Sequence, residues 1–121
     1  MSVNPIKIRY ELSIAVGIVN IVEKKTAKAK ANKVELIELE IGTLAGIEFD
    51  SLDFVWSSAV KDTVLENAVK TINIIHGEAK CSDCDTIFKL DDIFNACPNC
   101  NSYLKGIIKG KELLVKSLEV S

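Results

Sequence analysis

Apolar and polar residues alternate at two different periods along this chain. Residues 5–10, PIKIRY, place Ile6, Ile8 and Tyr10 at every second position, which predicts a short strand. From Glu11 the period becomes helical. Leu12, Ala15, Val16, Val19 and Val22 share one face, and Ile14, Ile18 and Ile21 widen it. So broad an apolar arc predicts a helix covered on two sides, with Glu11 in its first turn, where the dipole favours a carboxylate. The helix is expected to fray into TAKAKANK and to stop at Asn32.

Residues 33–41, KVELIELEI, predict a strand with acids on one side and a slip of phase at Leu36–Ile37. GTLAG (42–46) reads as a turn. Phe49, Leu52, Trp56, Ala59 and Val60, with Val55 beside them, then recur at helical spacing. Trp56 is read as core packing rather than a ligand box. VKTINIIHG (69–77) predicts a third strand and GKELLVKSLEV (110–120) a fourth. A strand that follows the cysteine-bearing segment finds its simplest place in the sheet begun by the earlier ones. The expected fold is therefore α+β: a small mixed sheet carrying two helices, with a four-cysteine zinc-ribbon module inserted before the last strand. The domains are expected to be 1–76 with 110–121, and the inserted module 77–109.

Composition narrows the function. In 121 residues, 48% are apolar and 26% charged, enough for a real core. The net charge of −2 recruits no polyanion by itself. No apolar run reaches the roughly 18–20 residues of a membrane span. The stretch from Leu12 to Val22 after Lys7 and Arg9 imitates a secretory signal, but Glu11 and Asn20 interrupt it and EKK follows, so a buried helix of a cytoplasmic protein is expected.

All four cysteines lie in KCSDCDTIFKLDDIFNACPNCN. Cys81, Cys84, Cys97 and Cys100 form C-x2-C-x12-C-x2-C, two knuckles that together supply a tetrahedral four-thiolate zinc site. Such a site has no open coordination position, so the metal is expected to be structural, not catalytic. A disulfide framework suits a secreted miniprotein, and a redox pair would leave two cysteines idle. Nucleic acid is the serious competitor. However, residues 77–109 carry five acids (Glu78, Asp83, Asp85, Asp91, Asp92) against four bases (Lys80, Lys89, Lys105, Lys109), and Asp91–Asp92 lies where a phosphate-gripping ribbon wants cations.

Little else is equipped for chemistry. His76 is the only histidine, and every cysteine is committed, so no nucleophile–base arrangement is available. There is no P-loop or GxGxxG motif. The acid pairs Glu38/Glu40 and Asp50/Asp53 read as solvated faces. An enzyme is not expected.

The stretch YELSIAVGIVNIVEKK, with Glu11 and Ser13, the turn from Ile41 to Ile47, the cysteine quartet and the ending GKELLVKSLEV resemble the HypA/HybF family over nearly the whole chain. The resemblance implies a nickel metallochaperone of nickel–iron hydrogenase maturation, with a nickel domain and a structural zinc. It also implies a maturation GTPase and the hydrogenase large subunit as partners. A homodimer and an adaptor that has lost nickel are the further possibilities it leaves open. Family members begin Met-His-Glu. Here Arg9, Tyr10 and Glu11 occupy those places and eight residues precede them. A phenol, a hard oxygen donor, replaces the imidazole, so of the family's nickel motif only Glu11 is retained.

Overall fold

The computed structural model describes residues 5–121, and side chains from Tyr10 onward. The elements are α1 (Pro5–Lys28), β1 (Val34–Gly42), α2 (Phe49–Val60), β2 (Val69–Ile75), β3 (Glu78–Cys81), β4 (Ile87–Lys89), β5 (Lys105–Lys109) and β6 (Leu113–Val120). They form two three-stranded sheets, ordered β2-β1-β6 and β4-β3-β5. The first is mixed. Lys33 exchanges bonds with Ser121 while Gly42 N–H reaches Glu112 O, so β6 runs antiparallel to β1. Val34 N–H bonds Val64 O and Thr43 N–H bonds Ile75 O, so β2 runs parallel to it, with α2 as the crossover. This is the α+β arrangement expected, with two helices and a cysteine-bearing segment ahead of the last strand.

The chain divides into two compact units. One draws on residues up to Leu39, Ile47–Thr71 and Val115–Ser121; the other comprises Glu40–Gly46 and Ile72–Leu114.

In the first unit, α1 and α2 pack together. The buried side chains are Ala15, Ile18, Val19 and Val22 of α1, Leu52, Val55, Trp56 and Val60 of α2, Val34, Ile37 and Leu39 of β1, and Leu65. Val34 and Ile37 are both buried with Leu36 between them half-buried, which is the phase slip legible at Leu36–Ile37. Lys70 Nζ lies 5.1 Å from the Trp56 ring centre and 2.5 Å from Asp53 Oδ1, tying β2 to α2.

Four expectations need correction. Residues 5–10 are not a strand but the opening of α1. Three alternating apolar positions are too few to set a period, and Pro5 is suited to a first helical turn, where its missing N–H costs nothing. Glu11 accordingly lies beyond the first turn. Nor is α1 covered on two sides: Ala15, Ile18, Val19 and Val22 are buried, whereas Tyr10, Leu12, Val16 and Ile21 remain exposed. The helix stops at Lys28 and the reversal uses Lys30 at φ 55°, not Asn32.

The second unit has its own apolar cluster of Ala79, Cys81, Phe88, Leu90 and Cys97, against which Leu44, Cys84 and Ile107 pack. Three glycines make it possible. A Cβ on Gly42 would meet Gly110 O, and one on Gly77 would meet Leu90 O at 2.2 Å. Gly110, at φ 115°, is in addition confined to a backbone region that side chains rarely allow.

Candidate metal centre

The two Cys-x-x-Cys stretches fold into the same turn. In the first, Cys81 N–H bonds Thr86 O at 2.8 Å and Asp85 N–H bonds Cys81 O at 3.0 Å. In the second, Cys97 N–H bonds Ser102 O and Asn101 N–H bonds Cys97 O, both at 2.8 Å. Asp85 (φ 62°) and Asn101 (φ 61°) hold equivalent left-handed positions, a conformation Asp and Asn tolerate better than other side-chain-bearing residues. The turns are stitched to each other by Ser82 N–H to Leu104 O and by the Ser102 hydroxyl donating to the Asp83 carboxylate.

These turns bring all four sulfurs to one point. Cys81 Sγ lies 3.5 Å from Cys100 Sγ and Cys84 Sγ lies 3.7 Å from Cys97 Sγ, and all four are within 4.8 Å of one another. With Zn–S bonds near 2.3 Å, the edge of a ZnS4 tetrahedron is about 3.8 Å. The spacing therefore fits zinc. It is far too long for S–S bonds, and the four cysteines are free. Cys81 and Cys97 are buried, Cys84 half-buried and Cys100 exposed.

The electrostatics point the same way. Hydrogen bonding from the Asn99 side chain, then from Thr86, lowers the Cys84 thiol to about 6. At Cys100 the Ser102 backbone N–H favours the thiolate, but the neighbouring sulfurs of Cys81 and Cys84 outweigh it and push the thiol up to about 12. Four sulfurs this close resist becoming four thiolates together, and a dication removes that resistance. Asn99 was not singled out from the sequence. Its side-chain Nδ2 donates to Cys84 Sγ at 3.5 Å while its backbone N–H approaches Cys97 Sγ at 3.4 Å. The signal for it was its place inside the second knuckle, where a short amide side chain faces the first.

Among the described residues, the four cysteines are the group of side chains arranged to hold a metal. His76 is exposed and outside it. Glu11 is fully buried in the first unit, while its neighbour Tyr10 is 45% exposed. Asp53 of the second acid pair is bound by Lys70, and Glu38 accepts from the Ser117 hydroxyl. Among the described residues, no helix is long and apolar enough to cross a membrane.

Comparison with known proteins agrees along the length of the chain. Residues 10–120 match the sequence model of the family described as hydrogenase/urease nickel incorporation, metallochaperone, hypA. The hydrogenase maturation factor HypA of Parabacteroides distasonis is 49% identical over 111 residues, covering 92% of this chain and 96% of that protein. HypA of Prosthecochloris aestuarii is 37% identical, covering 90% and 96%. The solution structure of the nickel metallochaperone HypA from Helicobacter pylori superposes with a TM-score of 0.65 at 24% identity, covering 91% of this chain and 96% of that one, which shows the shared fold.

Proposed function

The chain belongs to the HypA family of hydrogenase and urease nickel-incorporation proteins, and we propose that it acts as a cytoplasmic accessory factor in nickel-enzyme maturation. In this reading Cys81, Cys84, Cys97 and Cys100 hold a structural zinc in a module of residues 77–109, and the remainder is the nickel-domain-like part. The observation that carries it is the family match over residues 10–120 together with a sulfur cluster of zinc dimensions. No catalytic step is assigned to the chain. Its partners would be a maturation GTPase and the hydrogenase large subunit.

Zinc would supply folding free energy here. The module's buried cluster is small, and Cys81, Cys84, Cys97 and Cys100 holding one dication would tie its two turns together. Asn99 and Thr86 orient and stabilise the Cys84 thiolate.

Nickel would be the cargo, and its family-type site is not favoured. Successive residues on a helix point about 100° apart, and Tyr10 faces outward while Glu11 faces inward, so the two do not converge on one ion. The helix also begins at Pro5, which commits the backbone amides at Tyr10 and Glu11 to the helical ladder. This favours a second reading, an adaptor of the same fold that has lost nickel. Calorimetric titration of nickel into zinc-loaded protein, with elemental analysis, separates the two. Tight one-to-one uptake supports the chaperone; one zinc and no nickel per chain supports the adaptor.

A further inference from the structure

One side of α1 is packed into its unit; the other is open, and it has both a shape and a charge. Successive helical residues are about 100° apart, so Ser13, Gly17, Asn20 and Lys24 form a crest opposite the buried Ala15 and Val22. Tyr10 and Ile21 stand on one flank of that crest, with half-buried Ile14 between them. Leu12 and Val16 stand on the other. Leu12 is 38% exposed, Val16 42% and Ile21 50%. The crest itself is low: nothing lies within 4 Å of where a Cβ on Gly17 would be. Two apolar flanks with a low line between them suit a second helix, because a small residue at the crossing lets the axes approach.

The charge comes from the last turns of the helix. Lys24 continues the crest, while Lys25 and Lys28 continue the flank of Tyr10 and Ile21. All three are exposed, and among the described residues none of them has an ion-pair partner. Glu23 stands on the opposite flank, where it lines a polar cavity with Asn32 and Lys33. The helix dipole accounts for cations in the last turn. It does not account for the apolar flanks that lead up to them.

The geometry points to this outward face of α1 as a docking site for an antiparallel amphipathic helix of a partner protein, acidic at its N-terminal end. Apolar side chains of that helix would straddle Gly17, and its first turns would set carboxylates against Lys24, Lys25 and Lys28. The orientation follows from the dipoles, which favour acids in a first turn and place it beside the last turn of α1. A second copy of α1 does not supply this pattern, having no acid in its first turn. A lipid surface fits less well, because the crest of Ser13, Gly17 and Asn20 offers no large apolar side chain to insert. The inference does not depend on whether nickel is bound.

The test is an NMR titration of zinc-loaded, 15N-labelled full chain with a blocked helical peptide. Its leucines recur every three or four residues around an alanine centre, and its first two turns carry glutamates; a counterpart carries lysines there instead. The acidic peptide is expected to shift the amides of Leu12, Gly17, Ile21 and Lys24, and the lysine peptide to leave them unmoved. A nitroxide at the acidic end should broaden the Lys28 amide more than that of Leu12. Lys24→Gln with Lys28→Gln should weaken binding about tenfold. Gly17→Leu has room and favours the helix, so it should retain zinc and thermal stability yet lose binding by a similar factor. Equal binding of both peptides, no shifts at millimolar peptide, broadening strongest at Leu12, or unchanged affinity in Gly17→Leu would overturn the proposal. So would shifts of the same amides caused by phosphatidylglycerol vesicles in place of the peptide, or by raising protein concentration alone.

Discussion

The α-carbon of Gly42 faces the carbonyl of Gly110 so closely that a Cβ built there would lie 1.8 Å from that oxygen. The obstacle is backbone, held in turn by Leu44 N–H at 2.7 Å, so it cannot swing aside as a side-chain tip could. Gly42→Ala is expected to destabilise by about 3 kcal/mol or more. Gly17, inside α1, meets nothing within 4 Å. There the same substitution should stabilise by about 0.5–1 kcal/mol. Urea denaturation of the two variants against the parent checks both signs.

Removing zinc should act regionally. A strong chelator is expected to collapse amide-exchange protection in β3, β4 and β5 while α1 and α2 keep theirs, because the second unit's core includes Cys81 and Cys97 themselves. Cys97→Ser should reproduce the effect without chelator, and hydrogen exchange read by mass spectrometry resolves the segments.

Acid should release the metal, because protons compete with it for all four sulfurs. In the metal-free cluster Cys84 lies at about 6, below the ordinary 9.0, so this thiolate's contribution is fully present above about 9 and is lost as pH falls through about 6. Asn99→Ala removes the largest cause of that lowering. The midpoint of zinc loss on acidification is then expected to move up by about one pH unit, the worth of one hydrogen bond to a charged group. A colorimetric zinc indicator followed from pH 8 to pH 4 measures it.

Restoring the family histidine alone should not create a nickel site. Tyr10→His in the full chain leaves that residue within α1 and Glu11 buried, so nickel affinity is expected to change by less than about tenfold. Removing the eight residues before Arg9 and writing Arg9→Met with Tyr10→His should raise it by far more, as read by calorimetry.

The cysteine site was legible because its information is local. Two Cys-x-x-Cys turns dictate sulfur positions almost without reference to the rest, and their spacing survived into a 4.8 Å cluster. The Trp56 stripe and the β1 phase slip were legible for the same reason, since one face is uniformly buried. The opening of α1 was not. Ile6, Ile8 and Tyr10 suit a strand locally, whereas the continuing helix extends through them. β3, β4 and β5 were missed as strands because segments of three to five residues cannot display a period.

Two sulfurs of the cluster, those of Cys81 and Cys97, are walled in, while Cys100 opens to solvent and Cys84 partly so. Traffic at the site is therefore one-ended. A competing thiol or chelator meets Cys100 first, and the inner pair keeps its grip until the outer pair has let go. The lifetime of an ion held there would then depend on how readily the turn that carries Cys100 opens, a kinetic guard that affinity measurements alone would not reveal.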